Sequence, residues 1–213
     1  MIFNGLIIKK ENVDNNYIND LSMKLENRVQ SILEYFDLKE IMSNVEVVLW
    51  DNLNDFRNFA KEKLQSNIPK WMCGWVQNMI NTKTIHVLTL DELKKCEKHE
   101  NNDIDDLENI IVHEFVHILV KQITGGKKIK KWLNEALATS LSMQKHNYRF
   151  NLTVENLKND DFVDYGFYQL VGDYLINEKG RKYIIRLMKE SSFLEEEITN
   201  IYNGIKKYFE NIK

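Results

Sequence analysis

The chain has few of the residues that interrupt or cross-link a fold. Its 213 residues include one proline, eight glycines and two cysteines. With one proline and no Gly- or Ser-rich stretch, no segment has the composition of a flexible linker. Cys73 and Cys96 are too few for a disulfide framework and lack the paired spacing of a zinc knuckle. We therefore expect one domain, residues 1–213, in which both cysteines are reduced thiols.

Long apolar runs and a strong excess of one charge are also missing. No stretch approaches the roughly 18 apolar residues that a membrane-spanning helix needs. The first residues have neither a basic region nor a small-residue cleavage site, so nothing marks a signal peptide. The formal net charge of −3 offers no basic surface for nucleic acid or anionic membranes.

From these absences the sequence predicts a soluble, cytoplasmic protein with no nucleic-acid or membrane partner. A secreted protein whose signal peptide is not part of the sequence would have the same composition. Nothing in the sequence indicates an oligomeric state.

What the chain does have is two parts with different hydrophobic periods. In residues 1–102 strands are predicted at 2–9, 45–50, 71–77 and 84–90, and helices at 16–38 and 52–65. In residues 103–213 helices are predicted from 103 to the double glycine at 125–126, and at 132–147, 162–178, 180–190 and 194–211. A sheet-containing part followed by a helical part predicts an α+β fold, a small mixed sheet and then an all-helical C-terminal lobe.

The apolar segment IIVHEFVHILV, residues 110–120, carries three polar side chains. At 3.6 residues per turn, His113 and His117 stand one turn apart on one helical face, so both imidazoles reach a single point. Glu114 is rotated by about 100° from His113, too far for an easy ligand but able to touch a water at that point. The pattern H-E-x-x-H is typical of a zinc site with a general base. The alternative is a buried helix that carries two histidines without a metal.

A zinc ion with two imidazoles needs a third protein ligand. The metzincin extension requires glycine at position 120 and histidine at 123, where the chain has Val120 and Ile123. His146 lies in the polar stretch QKHNYRF and is predicted to be solvated. His86 falls in a strand and His99 in a charged loop, and neither has other metal-binding residues around it.

Glu135, in KKWLNEALATSL, is the better candidate for the third ligand. It follows the double glycine that ends the first helix, so the early turns of a second, antiparallel helix would return beside the histidines. A carboxylate among apolar and small residues needs a buried partner, and small residues let helices approach closely. The alternative is a glutamate near a helix N-terminus that the helix dipole satisfies.

HEFVH followed by WLNEALA resembles the gluzincin metallopeptidases, the group that includes thermolysin-like proteases and zinc aminopeptidases, and most of all their compact bacterial domains. Seventeen residues separate His117 from Glu135, within one or two of the spacing usual in the group. The resemblance covers roughly residues 70–190. It implies Zn²⁺ held by His113, His117 and Glu135, an open fourth position for water, and Glu114 as general base in peptide-bond hydrolysis.

The resemblance also implies an oxyanion donor and a substrate strand. DFVDYGFYQLVGDYL resembles the segment that supplies a tyrosine in compact members, which points to Tyr165 or, one turn later, to Tyr168. Peptide substrates of the group add to an edge strand that packs on the zinc-binding helix. WMCGWVQ would be that strand, with Gly74 allowing close approach and Trp71 or Trp75 forming a subsite wall. The alternative for both tryptophans is packing in the core.

Two departures from the group narrow the expected activity. Thr139 stands four residues after Glu135, where thermolysin-like members have an aspartate that orients a histidine, and its hydroxyl would do so more weakly. The GAMEN-type segment of zinc aminopeptidases is missing, which argues for an endopeptidase or a peptidase of narrow specificity.

Two rival functions stay open. One is a non-catalytic, zinc-stabilised domain with a role in interaction or regulation, and the other is an intracellular regulatory protease that cleaves a single protein partner. Glu114 counts against the first, because only catalysis needs a carboxylate at that position.

Overall fold

The structure, a computed structural model, describes residues 2–3, 6–9, 15–42, 44–79 and 82–212, with side chains from Tyr17 onward. It is a mixed α+β fold, as the sequence predicts, with one mixed sheet and a largely helical remainder. In the described ranges, no helix is both long enough and apolar enough to cross a membrane.

The strands come early in the chain and the helices dominate its second half. The strands are β1 (Ile2–Phe3), β2 (Leu6–Lys9), β3 (Asn44–Trp50), β4 (Gly74–Asn78) and β5 (Thr82–Leu88). The helices are α1 (Asn15–Phe36), α2 (Leu53–Leu64), α3 (Leu90–Leu93), α4 (Ile104–Ile123), α5 (Lys131–Leu141), α6 (Val154–Asn159), α7 (Tyr165–Tyr174), α8 (Gly180–Lys189) and α9 (Ser191–Asn211). A π-helical turn, Leu175–Lys179, joins α7 to α8.

The predicted helix at 132–147 is too long. The helix ends at Leu141, because the Ser142 hydroxyl donates to the Thr139 carbonyl at 3.0 Å and Met143 takes a φ of 57°. The sequence also predicts no element where the short helices α3 and α6 lie. Helices of four and six residues are too short to show a hydrophobic period.

The sheet has the strand order β1-β2-β3-β5-β4, in which β4 forms one edge. Strands β2, β3 and β5 run parallel, while β4 is antiparallel to β5 and β1 to β2. Gly74 of β4 pairs with Val87 of β5, and the next residue, Trp75, pairs with His86. Successive residues of a strand point to opposite faces, so Gly74 and Trp75 lie on different sides of the sheet.

The chain separates into two compact units, residues 1–115 and 116–213, and the division falls inside α4. In the first unit the buried face of the sheet carries Val45, Val47, Leu49, Ile85 and Val87. Helix α1 buries a stripe of its own and pairs with α4 through Lys24 and Asp105 at 2.7 Å. The single domain expected from the sequence stays a prediction.

The second unit is built from close helix contacts. Gly172 of α7 lies directly against α5, where an added Cβ would overlap the Ala136 carbonyl oxygen and the Ser140 hydroxyl. The Ser140 hydroxyl donates to the Gln169 carbonyl at 3.2 Å. These contacts fix α7 against the helix that carries Glu135.

Candidate metal centre

Helix α4 is capped at both ends by local hydrogen bonds. At its start the Asp103 carboxylate accepts hydrogen bonds from the backbone N–H groups of Asp105 and Asp106, at 2.9 and 3.1 Å. At its end Gly126 has a φ of 82° and its N–H donates to the Lys121 carbonyl at 2.8 Å, which is typical of a glycine-terminated helix. The H-E-x-x-H segment therefore lies within one continuous helix.

The structure brings together His113, His117 and Glu135. One ligand atom from each lies within 4.8 Å of the others. Nε2 of His117 is 3.8 Å from Oε1 of Glu135, and these two side chains are 19% and 16% exposed. His113 is buried. The three residues that the sequence selects as ligands thus form one cluster that solvent can still reach.

The donor set of this cluster fits a zinc ion. Imidazole nitrogens and carboxylate oxygens bind zinc at about 2.0–2.2 Å, which places tetrahedral ligands roughly 3.4 Å apart. The separation of 3.8 Å between His117 and Glu135 is close to that value. Within the described part of the chain, no other group of three or more potential ligands gathers in this way.

Glu135 owes its position to a contact that the sequence does not reveal. The Asp160 carboxylate accepts hydrogen bonds from the backbone N–H groups of Lys131, at 2.5 Å, and Trp132, at 2.9 Å. The fully buried Trp132 also donates from its indole to the Leu157 carbonyl at 2.9 Å. The end of α6 therefore holds the first turn of α5, the helix that presents Glu135.

Gly74 brings the edge strand β4 onto α4. A Cβ added at Gly74 would lie 3.0 Å from Cγ2 of Ile110, 3.5 Å from Cγ of Glu114 and 3.6 Å from Oε1 of Glu114. The edge strand therefore passes beside Glu114. Trp71, just before the strand, is 37% exposed.

Trp75 lies away from Glu114, on the other face of the sheet. Its ring stacks on His86 with centroids 4.5 Å apart, in a cluster with Trp50 and Phe59, and it is 6% exposed. The structure thus places Trp75 in a buried aromatic cluster, which was the alternative to a subsite wall.

The remaining histidines of the first unit have structural partners. Trp50 donates from its indole to Nδ1 of His86 at 3.2 Å, so Nε2 carries the proton and faces Oε1 of Gln77 at 3.1 Å. Burial lowers the pKa of His86 to about 4. His99 lies 3.0 Å from the Asn102 amide nitrogen, and burial lowers its pKa as well.

Both cysteines are buried, free thiols. Burial is the main reason that the pKa of each thiol is raised, so both are held in the protonated form. Neither belongs to the cluster of His113, His117 and Glu135.

The two candidate tyrosines, Tyr165 and Tyr168, differ in burial and in their contacts. Tyr168 is fully buried, and its hydroxyl donates to the Phe162 carbonyl at 2.8 Å. Burial raises its pKa, and the nearby Glu135 carboxylate adds to this effect. Tyr165 is half-buried at the start of α7, where Asp164 caps the helix by accepting from the Phe167 N–H at 3.0 Å. The structure thus leaves Tyr165 the more accessible of the two.

Thr139 and His146 have surroundings that the sequence does not reveal. The Thr139 side chain is fully buried, and within the described residues its hydroxyl makes no hydrogen bond, so no contact with a histidine supports the orienting role. His146 is exposed, as predicted, but its ring packs on Tyr165 with centroids 5.5 Å apart.

No family model, no curated protein and no solved structure was found to match this chain.

Proposed function

We propose that the protein is a zinc-dependent peptidase that hydrolyses peptide bonds, with a gluzincin-type centre. The observation that carries the proposal is the cluster of His113, His117 and Glu135, with Glu114 on the same helix as both histidines. A purely structural zinc site is normally closed by four protein ligands, whereas three ligands are typical of a catalytic site. The position of Glu114 next to the edge strand supports the same function.

The chemistry divides between the metal and the chain. Zinc, when bound, polarises a carbonyl group and lowers the pKa of a water to about 7. Glu114 accepts a proton from the attacking water and passes it to the departing amine. Glu114 is half-buried, so a substrate can still reach it.

The substrate in this proposal is an extended peptide that binds along β4. An edge strand presents backbone N–H and C=O groups on one side, and a peptide adds to them as another strand. Gly74 places this edge beside Glu114, so a bound peptide would lie close to the proposed base. Tyr165 is the proposed donor to the oxyanion that forms during hydrolysis.

The decisive test combines metal analysis with an activity assay. The purified protein should contain one zinc ion per chain and cleave members of a diverse peptide library, and a chelator should abolish the cleavage. Glu114→Gln should retain zinc and lose turnover, because the amide cannot accept the proton. Glu97→Gln, which changes an exposed glutamate of the same unit, is the matched control and should behave as the wild type.

The alternatives give different results. Zinc without cleavage of any peptide would support the non-catalytic, zinc-stabilised domain. Cleavage confined to one protein partner would support a regulatory protease. Absence of zinc, or full activity of Glu114→Gln, would overturn the proposal.

A further inference from the structure

We infer that residues 146–149 form a positioning segment that holds the ring of Tyr165, with His146 as its contact. The inference rests on the proposed function, in which Tyr165 donates to the oxyanion. It adds a residue, His146, that the sequence places on the solvated surface and that lies outside the cluster of His113, His117 and Glu135.

Hydrogen bonds hold the segment along one face of α7. The backbone N–H of His146 donates to Oε1 of Gln169 at 2.5 Å, and the Tyr148 hydroxyl donates to Oδ2 of Asp173 at 2.6 Å. Tyr165, Gln169 and Asp173 are spaced by four residues, so they share one side of the helix. A segment without regular secondary structure thus follows this side of α7 for two turns.

Gly166 allows the segment to lie directly on the helix. Its backbone is helical, outside the left-handed region, so a glycine is not required by its φ. A Cβ at this position would overlap the backbone oxygen of Asn147 and lie 3.1 Å from Cγ of Arg149. The Arg149 N–H also reaches the Gly166 carbonyl at 3.4 Å. A side chain at position 166 would therefore push the segment off α7.

The Tyr165 ring contacts both a fixed neighbour and this segment. It meets Tyr168 edge-on, with centroids 5.5 Å apart and an interplanar angle of 86°. Tyr168 is itself fixed by full burial and by its hydrogen bond to Phe162. The His146 ring of the segment lies 5.5 Å from the Tyr165 ring, centroid to centroid, and is tilted by 32° to it.

Contact with both rings restricts the side-chain rotation of Tyr165. A donor to an oxyanion acts best when its position is set before the reaction, because no free energy is then spent on reorientation. A displacement of about 1 Å can cost roughly a hundredfold in rate. His146 is therefore a positioning residue, and its loss should lower kcat more than it raises KM.

The test compares His146→Ala and Gly166→Ala with His146→Phe, which keeps a ring beside Tyr165. Lys145→Ala, an exposed neighbour outside the segment, is the matched control. Each full-length variant is assayed for kcat, KM and zinc content. The Tyr165 ring is followed by NMR of tyrosine labelled with ¹³C, and the Tyr165 signal is assigned from its disappearance in Tyr165→Phe.

We expect His146→Ala and Gly166→Ala to lower kcat roughly ten- to hundredfold, to shift or broaden the Tyr165 signal and to retain zinc. His146→Phe should recover most of both properties, and Lys145→Ala should match the wild type. His146 is exposed, so its variants test the inference even if Gly166→Ala does not fold.

An unchanged kcat in His146→Ala, or a lower kcat with an unchanged Tyr165 signal, would overturn the inference. If the wild type cleaves no peptide, the proposed function fails and the kinetic role of the segment fails with it. In that case the NMR comparison still decides whether the segment holds the ring.

Discussion

Gly74 on the edge strand lies beside Glu114 on α4, and a single added methyl group at Gly74 would lie 3.6 Å from the Glu114 carboxylate. This proximity connects two parts of the proposed reaction. The strand that would bind a peptide backbone and the side chain that would accept the proton belong to the same compact unit. A substitution in β4 should therefore change the surroundings of Glu114.

Gly74→Ala should disturb the packing of β4 on α4. The new methyl group would lie 3.0 Å from Cγ2 of Ile110, closer than ordinary contact, so the Ile110 side chain or β4 must move by a few tenths of an ångström. We expect a loss of stability of about 1–3 kcal/mol, measured by thermal unfolding, and a higher KM for peptides.

The double variant Gly74→Ala, Ile110→Ala is the matched control, because it removes Cγ2 of Ile110, the atom that the new methyl group would crowd. It should recover part of the lost binding. If the single variant has wild-type KM and stability, β4 does not bind the substrate in the proposed way.

Tyr165→Phe and Tyr168→Phe should separate catalysis from packing. Loss of the Tyr165 hydroxyl should lower kcat roughly tenfold to thousandfold, with little change in stability. Loss of the Tyr168 hydroxyl leaves the Phe162 carbonyl without its donor and should cost about 1–3 kcal/mol. Steady-state kinetics and denaturant unfolding of both variants make the comparison. Wild-type kinetics in Tyr165→Phe would move the proposed role to Tyr168.

The features that the sequence predicts well are those with a local cause. The period of 3.6 residues places His113 and His117 on one face, and the period of two identifies the strands. The period of two also sets Gly74 and Trp75 on opposite faces, although the sequence-based interpretation assigned both to one substrate site. The face that carries Trp75 is the one on which its ring stacks on His86.

The features that the sequence does not predict depend on distant contacts. Asp160 holds the start of α5 through hydrogen bonds to residues almost thirty positions away, and no local pattern marks it. Helix α5 ends at Leu141, earlier than the sequence predicts, so residues 146–149 can pack on α7. This packing brings the His146 ring against Tyr165. A polar stretch indicates exposure, but it does not show which surface the stretch crosses.

The folding stability should depend on pH through His86. Burial lowers the pKa of this imidazole from 6.5 to about 4 in the folded protein. Between these values the unfolded chain binds a proton that the folded chain does not, so stability is present above pH 6.5 and is lost as the pH falls toward 4. The loss attributable to His86 is on the order of 3 kcal/mol.

His86→Gln isolates this contribution from that of the carboxylates. A glutamine amide does not titrate, and it offers an oxygen to Trp50 and an N–H to Gln77. We expect the variant to lose less stability than the wild type between pH 6.5 and pH 4 in urea unfolding. If the wild type and His86→Gln lose the same stability between pH 6.5 and pH 4, His86 is not the group that causes the pH dependence.

Removal of zinc should destabilise the wild type and leave ligand variants unaffected. A metal that binds only the folded state adds about 2.7 kcal/mol of stability when its free concentration is a hundred times Kd, so a chelator should lower Tm. Glu135→Gln and His117→Ala weaken the cluster, and their Tm should respond little to the same chelator. Glu196→Gln changes an exposed glutamate of the second unit and should keep the full response. A full chelator response in Glu135→Gln would exclude Glu135 as the third ligand, because the stabilisation would then come from metal held by other residues.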